Sequence, residues 1–530
     1  MKGIKPTMLA SAAVFYAIAA PVSAQVVSTS QPTTADQPVA QELAASPAAD
    51  AASADIVVTA QRRSESVQRV PIAITVVGEQ QLQRQQILQV SDLNRSAPAL
   101  EFSPPGQTPG SGGYIRGIGT NVSGSTAEGS VGLVVDGVPQ GNVPQSALFD
   151  INRVEVLRGP QGTLFGQSVS AGVVNISSNA PKIGQWSGSA YGELADDGTA
   201  GSEYSRRIGR LIVNVPIGAD AALRVAGHYD SIDGVAYNAA TKQGSGRNDR
   251  GVRARLLWQP SSAFTFNLIA DYNQVDTTNE PFLTVYKTNA TQLTSVLANC
   301  GLTVGAANGD SCTPLTPFNH IVQYGVSGQA DIQLGRHTLT WITAFRHQDQ
   351  TQFQSIDGLP TTSLASSPFP NINYGGPGGY DTKRQFTQEI RLTSPTDQRL
   401  EYVAGAFYSR FTESRNYISN LQLPFLPFPI NTTYRLTPIV ESFAGFGNVT
   451  LNVTDALRFI AGGRFTHNEV TARRTTITGG APGYYVSSSG VDNFSFRAGA
   501  QYDLAARLMV YGTVSRGFKG QTYNDNADLS

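Results

Sequence analysis

The chain has 530 residues, more than one ordinary soluble domain packs around a single core, so two or more structural units are expected. Charged residues make up 15% and the formal net charge is −1, which argues against the basic face of a nucleic-acid-binding protein. The 53 Gly, 20 Tyr and 23 Phe suit many strands joined by turns, and fit a transmembrane β-barrel or a large secreted β-protein.

The N-terminus predicts export. Lys2 and Lys5 precede the apolar run Met8–Ala20, and small residues at Val22–Ala24 suit cleavage, so residues 1–24 are predicted to be a signal peptide. A single-span anchor is the weaker alternative, because the run is short and no charged stop follows it. Residues 25–54 are dominated by Ala, Pro, Ser, Thr and Gln, which predicts a flexible linker.

The linker ends in a short β-branched run, Asp55-Ile56-Val57-Val58-Thr59-Ala60. Such a segment can add as a strand to the exposed sheet edge of a partner. It can equally be the first strand of the following domain, and the residues alone leave both interpretations open.

Residues 61–182 have the pattern of an α/β unit. A Gln-rich helix is predicted over Gly78–Leu93. The stretch Val154–Gly166, VEVLRGPQGTLFG, is an alternating strand that runs into a Gly/Pro turn with Arg158 at the join. The other predicted strands are Val70–Val77, Gly112–Thr120, Gly132–Gly137 and Val173–Ser177.

Residues 185–530 alternate apolar and polar side chains over a long series of strands, as in Phe264–Tyr272 and Leu457–Phe465. Short connections between strands alternate with long polar ones. This pattern is typical of bacterial outer-membrane barrels, and a soluble β-sandwich has no reason to alternate in this way. We count about 13 strands, whereas single-chain bacterial barrels close with an even number. We therefore expect a truncated piece of a longer barrel; closure with partner copies is the less favoured alternative.

Two cysteines, Cys300 and Cys312, lie in a Gly/Asn/Thr-rich segment that is predicted to be a loop. In an exported chain they fit a disulfide, which across so short a loop could contribute ~3 kcal/mol. Two free thiols are the less favoured alternative, because exposed free cysteines tend to oxidise outside the cytoplasm.

Ordered motifs along the chain carry a resemblance. The chain resembles the TonB-dependent outer-membrane receptor family, of the siderophore-receptor type, over nearly all of its mature length. The motifs are DIVVTA at Asp55–Ala60, VPIAITVV at Val70–Val77, YIRGIGT at Tyr114–Thr120, VVDGVPQG at Val134–Gly141, VEVLRGPQGTLFG at Val154–Gly166, AGVVNISSNAP at Ala171–Pro181, FTQEIRLTS at Phe386–Ser394, ESFAGFGNVT at Glu441–Thr450 and SRGFKGQTYN at Ser515–Asn524.

The resemblance implies a mainly β protein, with an N-terminal α/β plug domain inside a large antiparallel transmembrane β-barrel of the 22-stranded type. Roughly nine strands of that barrel would be missing here. It also implies that Asp55–Ala60 is the TonB box, and it marks a set of plug signature residues: Gly117, Asp136, Gly137, Gly159, Pro160, Gly162, Gly166, Gly172 and Asn175.

A plug–barrel lock is also implied. The plug arginines Arg116 and Arg158 resemble those that dock the plug onto two barrel glutamates, and the candidates here are Glu389 and Glu441. Glu389 alternates with Ile390 and should face the lumen, whereas the parity at Glu441 is ambiguous. We expect a releasable lock; static buried ion pairs without a gating role are the alternative.

The implied function is active uptake across the cell outer membrane, with a ferric siderophore as the leading candidate for the transported solute and with the N-terminus in the periplasm. Implied partners are a TonB-type energy-coupling protein, outer-membrane lipid and the barrel-assembly machinery. Uptake of cobalamin, an oligosaccharide or an aromatic compound would use the same scaffold. An enzyme is disfavoured, because GxSxG, HExxH and CxxC motifs are absent. No cofactor, metal site or catalytic residue is predicted, and a passive porin is disfavoured by the plug.

Overall fold

The computed structural model describes residues 57–59, 61–63, 65–102, 111–121, 129–141, 147–166, 169–195, 205–278, 298–302, 310, 312, 317–353, 374–396, 398–421, 430–478, 483–505 and 508–521. The predicted signal peptide and linker lie outside these ranges. So do Asp55, Ile56 and Ala60 of the predicted box, and most of the long connections between the later strands.

The N-terminal part of the described chain is built on a five-stranded mixed sheet. Its strands are β3 (Ile74–Gly78), β7 (Val131–Val135), β8 (Val138–Pro139), β9 (Ile151–Arg158) and β10 (Gly172–Ser178), in the order β3-β9-β10-β7-β8. Only β10 and β7 are parallel. Valines and isoleucines of these strands form the buried core together with Leu82 and Leu93, so this part has a core of its own.

Smaller elements flank the sheet. A two-stranded hairpin joins β1 (Val57–Val58) to β2 (Glu65–Ser66), and a three-stranded sheet contains β4 (Leu100–Glu101), β5 (Ser111–Ile115) and β6 (Ile118–Asn121). The helices are α1 (Glu79–Arg84) and α2 (Gly162–Phe165), with 3₁₀ segments at Val67–Arg69 and Val90–Arg95.

Two predictions for this part were wrong in detail. The helix predicted over Gly78–Leu93 is interrupted, because Gln86 has a left-handed φ of 49° that ends α1. The strand predicted over Gly112–Thr120 is a hairpin, because Arg116 and Gly117 have φ values of 54° and 75° and form a two-residue turn between β5 and β6.

The rest of the described chain is one antiparallel sheet, which we call the wall. Each long strand pairs with the next in sequence, from β11 to β19 and from β21 to β24, and the edge strands β11 and β24 do not pair with each other. The strands are β11 (Ser187–Ala195), β12 (Arg206–Ile217), β13 (Ala221–Asn238), β14 (Gln243–Ser261), β15 (Phe264–Thr278), β16 (Phe318–Leu334), β17 (His337–Phe353), β18 (Tyr374–Thr393), β19 (Leu400–Leu421), β20 (Ile430–Leu436), β21 (Ile439–Asn452), β22 (Leu457–Thr478), β23 (Tyr484–Ala505) and β24 (Leu508–Arg516).

The wall has 14 strands where the sequence predicts about 13. The difference is local: β20 and β21 both lie between β19 and β22 and occupy one position in the sheet. The ladder is broken between them at Thr437-Pro438, where proline has no N–H to donate.

The wall is polar on the face that contacts the N-terminal part built on strands β1 to β10, which we call the plug, and apolar on the other face. Trp341, Phe465 and Phe494 are 52%, 52% and 54% exposed, whereas Arg253 and Arg464 are each 3% exposed. This is the reverse of a soluble sheet and matches an outer-membrane wall, with apolar residues outward and polar residues inward. Among the described residues, no helix is both long and apolar enough to cross a membrane.

Candidate functional site

The described part of the predicted box, residues 57–59, is docked against the plug. Val58 is fully buried in a core cluster with Val134 and Leu157, while Val57 is 45% exposed. The backbone N–H of Thr59 donates to Glu155 Oε1 at 2.9 Å, and Glu155 is completely buried. Charge-assisted bonds of this kind are stronger than neutral ones, so Glu155 holds the box strand in place.

Asn175 and Arg153 complete the hydrogen bonding of this carboxylate. Asn175 Nδ2 donates to Glu155 Oε2 and to Thr59 Oγ1, each at 3.1 Å. Arg153 Nε donates to Glu155 Oε1 at 2.8 Å. Glu155 and Asn175, on the neighbouring plug strands β9 and β10, thus form the binding site for Thr59 at the end of the box.

A tight turn follows the box and directs two arginines to the wall. The N–H of Arg62 donates to the carbonyl of Thr59 at 3.0 Å, and Arg62 has a left-handed φ of 60°. Its guanidinium donates to Glu389 Oε2 at 3.3 Å and lies 4.8 Å from the centre of the Phe165 ring. Both partners of the ion pair are buried, with side chains 5% and 6% exposed.

Arg63 makes a second attachment beside the first. Its Nη1 donates to Glu401 Oε2 at 3.1 Å, and its Nη2 donates to Ser394 Oγ at 3.1 Å and to the carbonyl of Tyr402. We call Arg62, Arg63, Glu389 and Glu401 the latch. It joins the residues next to the box to strands β18 and β19, at the end of the wall that carries the short turns.

Burial shifts the pKa of groups in the hairpin. Burial lowers the pKa of Arg62, and the charge of Glu389 partly opposes that shift. Burial raises the pKa of Glu65 in β2 to about 7, against opposing effects of Arg63 and two other arginines and together with the like charge of Glu401. The second attachment therefore has a titratable neighbour near neutral pH.

A second set of ion pairs, with the charges of the two partners exchanged, attaches the plug to strands β13 and β14 of the wall. Asp150 accepts two hydrogen bonds from Arg224, at 2.7 and 2.6 Å, and Asp136 lies 3.7 Å from Arg255. We call these four residues the anchor. In the latch the plug supplies arginines and the wall carboxylates, whereas in the anchor the plug supplies carboxylates and the wall arginines.

The predicted lock pairs are not formed. Arg116 is exposed in the β5–β6 turn, and Arg158 donates to Thr75 Oγ1 within the plug. Glu441 is on the outer face of the wall with Phe443, where it accepts from the hydroxyl of Tyr408 and lies 3.7 Å from Arg410. Glu389 does face the lumen, as its parity predicts, but its plug partner is Arg62 rather than Arg158.

Glu389 is surrounded by positive charge. Besides Arg62, Arg391 donates to its Oε1, and Arg464 acts on it electrostatically from β22. The guanidinium of Arg464 lies over the rings of Phe407 and Phe446, and it would be 3.3 Å from a Cβ placed on Gly166. Gly166, with φ of 67°, is therefore required by a close approach of the wall as well as by its backbone.

The remaining signature residues are positioned within the plug. Asp136 and Gly137 form the turn between β7 and β8, and the Asp136 carboxylate accepts from the N–H and hydroxyl of Ser178 at 2.9 and 2.8 Å. Gly159 and Pro160 follow β9, Gly162 begins α2, and Gly172 begins β10. These residues shape the plug, and the structure gives Asn175 and Asp136 polar roles as well.

Cys300 and Cys312 are joined by a disulfide, with their Cα atoms 6.3 Å apart. This agrees with the prediction from their loop context. Most of the chain between the two cysteines lies outside the described residues.

Sequence reasoning missed both arginines of the latch and the carboxylate that binds the box. A signal was present: Arg62 and Arg63 directly follow the box, and Glu155 lies within the motif VEVLRGP at an inward position of a buried strand. Asp150 and Arg224 gave no comparable signal, because neither is part of a motif that the sequence distinguishes.

Comparison with known families identifies both parts of the chain. The TonB-dependent receptor plug domain matches residues 66–173, and the TonB dependent receptor-like β-barrel matches residues 356–529. These two regions correspond to the plug sheet and to the wall from β18 onward.

Individual relatives agree with this. The pesticin receptor of Yersinia pestis is 24% identical over 486 residues, which cover 88% of this chain and 64% of the relative. The vitamin B12 transporter of Vibrio vulnificus is 27% identical over 186 residues, 34% of this chain and 28% of that protein. The chain thus spans less than two thirds of the length of the pesticin receptor.

Among solved structures, the ferric yersiniabactin uptake receptor of Yersinia pestis has the same fold. The TM-score is 0.68 at 21% sequence identity, over 87% of this chain and 66% of that structure. With a plug sheet, a wall that is polar inside and apolar outside, and family matches to both parts, the chain belongs to the TonB-dependent receptor family.

Proposed function

We propose that the chain acts in TonB-dependent uptake of a ferric siderophore across the outer membrane of a Gram-negative bacterium. The observation that carries this proposal is the latch. The residues directly after the predicted TonB box hold the plug to the wall through two ion pairs, so a force on the box acts on those pairs first.

The docked box supports a two-state mechanism. Strand addition to a TonB-type partner needs a free strand, but Val58 is buried and Thr59 is bound to Glu155. The box must therefore leave the plug before or while it pairs with the partner. Pulling then withdraws Arg62 and Arg63 from their carboxylates, and the inner-membrane proton gradient rather than ATP supplies the work.

The proposed cargo rests on the relatives. The pesticin receptor is the relative with the longest match described above, and the solved structure with the same fold is a ferric yersiniabactin uptake receptor. Uptake of cobalamin is the second candidate, because a vitamin B12 transporter also matches part of the chain. Oligosaccharides and aromatic compounds remain alternatives on the same scaffold, since a fold does not fix its ligand.

The proposed location follows from the two faces of the wall. Exposed aromatic and aliphatic residues on the outer face suit contact with outer-membrane lipid, which requires insertion by the barrel-assembly machinery. The N-terminal hairpin is next to the short turns at Ser394–Leu400 and Asn452–Leu457, which are periplasmic in such barrels. The box would therefore be in the periplasm, where its partner can reach it.

A transport role is proposed in place of an enzymatic or porin role. The plug occupies the polar side of the wall and contacts it from β13 to β23, which would block passive flow. Hydrolase activity of the purified protein, or open-channel conductance with the plug in place, would favour those alternatives.

The test separates binding from energised uptake. Val57→Pro removes a backbone N–H from the box strand at an exposed position, so the plug core is left intact. In iron-starved cells we expect this variant to bind a ferric siderophore but to lose uptake of radiolabelled iron, whereas Val57→Ala retains uptake. Undiminished uptake in the Val57→Pro variant would show that the box does not couple transport. Uptake of labelled cobalamin instead of iron would select the second candidate.

A further inference from the structure

A cavity of 440 Å³ lies between the plug and wall strands β14 to β18. Its size is within the range of about 300–1,000 Å³ typical of small-molecule sites. The plug side includes Thr59, Arg62 and Arg63, so the residues at the end of the box form part of the lining.

The cavity is on the side of the plug that faces the short turns. Each of its wall residues lies within seven positions of the strand end at a short turn, for example Arg255 in β14, Ser327 in β16 and Arg391 in β18. A solute held there would already have passed most of the plug and would have the latch segment ahead of it.

The lining is rich in guanidinium groups. Five arginines and one aspartate, Asp136, contribute to it, and the arginines are Arg62, Arg63, Arg153, Arg255 and Arg391. Three further carboxylates, Glu155, Glu389 and Glu401, pair with these arginines from behind the lining. Five positive charges against four negative ones leave a formal excess of one positive charge, with guanidinium groups closer to the cavity than most of the carboxylates.

Two of the arginines also have unused hydrogen-bonding capacity. The Nε atoms of Arg255 and Arg391 are buried and have no acceptor among the described residues. The Arg391 side chain is only 10% exposed. Buried donors without acceptors are unfavourable. These two Nε atoms are enclosed, so a ligand with several oxygen acceptors would reach them only after a shift of the arginine side chains.

We propose that this cavity binds an anionic, oxygen-rich solute on its way past the plug, and that the Arg62–Arg63 segment is its movable floor. The proposal rests on the proposed function for the direction of transport, but binding in the cavity does not depend on it. When the latch opens, the same movement that frees the plug removes two cationic groups from the site, which weakens anion binding and releases the solute toward the periplasm.

The test uses cysteine labelling, since the only two cysteines of the chain are bridged to each other. Ser327→Cys places a thiol in the cavity wall. The probes are two methanethiosulfonate reagents of similar size, one carrying a sulfonate and one a trimethylammonium group, applied to the full chain in outer-membrane vesicles that are open to the periplasmic side. We expect the ratio of the labelling rate with the anionic reagent to that with the cationic reagent to be several-fold higher at Ser327→Cys than at a thiol exposed to water.

Two matched positions make the result interpretable. Ala505→Cys, exposed at a short turn, supplies the reference ratio for a thiol in water. Asn448→Cys lies on the lumenal face of β21, four positions from the strand end where Ser327 is seven from its own, but outside the cavity, and should react slowly with both reagents. An unreactive Ser327→Cys, or a ratio equal to that of Ala505→Cys, would overturn the proposal.

Arg255 provides the test of cause. Arg255→Gln should lower the rate ratio at Ser327→Cys toward the reference, while Arg255→Lys should keep most of it, because the charge is retained. Citrate, a small oxygen-rich anion, should slow labelling of Ser327→Cys and leave Ala505→Cys unaffected. Equal ratios in the glutamine and lysine variants, or no protection by citrate, would also count against an anion site.

The role of the Arg62–Arg63 segment in closing the cavity is tested separately. With Arg62→Ala and Arg63→Ala combined, a bulky maleimide that labels Ser327→Cys slowly in the parent should label it several-fold faster, and citrate protection should weaken. These readouts do not involve uptake. A chain that fails to transport but shows the charge preference would keep the cavity proposal and reject the proposed function, and the reverse result would do the opposite.

Discussion

The anchor and the latch attach the same plug to different strands of the wall, β13 and β14 in the anchor and β18 and β19 in the latch, yet they differ in how they can be released. In the anchor, Arg224 is the one cationic partner of Asp150 among the residues that the structure describes, in a bidentate arrangement with short distances. In the latch, Glu389 has Arg62, Arg391 and Arg464 around it, so withdrawal of Arg62 leaves the carboxylate paired. A buried charge that keeps a partner costs far less than one left alone.

The location of the two attachments in the chain adds to this difference. The plug residues of the anchor, Asp136 and Asp150, lie between strands of the plug's central sheet, whereas Arg62 and Arg63 follow the predicted box within a single turn. A pull on the box therefore reaches the latch before the sheet. On the proposed function, we therefore expect the anchor to keep the plug in the wall while the latch opens.

The largest expected effect is loss of the anchor. Asp150→Ala leaves Arg224, whose side chain is 13% exposed, without its carboxylate, and breaking one side of a largely buried pair costs up to about 3–5 kcal/mol. We expect a lower temperature of thermal unfolding and faster proteolysis of the plug. Asp150→Asn, which keeps the shape and some hydrogen bonding, is the matched control. Its unfolding temperature should lie between those of Asp150→Ala and the wild type. A wild-type unfolding profile for Asp150→Ala would show that the two attachments do not differ in this way.

The latch should respond more weakly and in a different observable. Arg62→Met keeps contact with Phe165 but removes the charge, while Glu389 retains Arg391, so we expect a cost of about 1–3 kcal/mol. A spin label at Val57→Cys should become more mobile, and global thermal unfolding should change little. A double-mutant cycle with Glu389→Gln measures the coupling of the pair. Zero coupling, or a loss of stability as large as that of Asp150→Ala, contradicts the assignment.

A smaller effect of pH is expected at the second attachment. The pKa of Glu65 is about 7 in the docked hairpin, above its ordinary value of 4.5, so docking binds a proton. Stabilisation from this group is complete below the ordinary pKa and is lost as the pH rises toward and through 7. The label at Val57→Cys should therefore be more mobile at pH ~8 than at pH ~5.5. Glu65→Gln should abolish this dependence, and an unchanged pH profile in that variant would assign it to another group.

The smallest effects are expected at the residues that the family resemblance selects but the structure leaves outside both attachments. Arg116→Ala alters an exposed turn, and Glu441→Gln alters the outer face of the wall, so each should change stability by less than about 0.5 kcal/mol. Neither should change the mobility of the label at Val57→Cys. An effect of either variant as large as that of Arg62→Met would restore the predicted lock.

The fold was predictable because its signals are periodic. Alternation along the wall strands places Glu389 in the lumen and Phe443 outside, and the order of motifs separates plug from wall. The details that failed are those in which backbone conformation overrides a pattern. Arg116-Gly117 is a hairpin turn rather than part of one strand, and Pro438 divides one wall position into two strands.

The candidate site was only half predictable for a related reason. A motif identifies Glu389 and Arg158, but it does not say which arginine reaches which carboxylate. That depends on the left-handed turn at Arg62, which directs the guanidinium toward β18, and on Thr75, which takes up Arg158 inside the plug. Parity could not decide Glu441 either, because polar and apolar residues share its face.

By itself, the sequence determined the class of the molecule, a plug followed by an alternating wall, since these depend on composition, local propensity and period. Only the tertiary structure decided which charges meet. Ion pairs between plug and wall join residues that are 74 and 327 positions apart in the chain, and no local pattern encodes such a distance. The division into an anchor and a latch therefore becomes visible only when the plug and the wall are packed together.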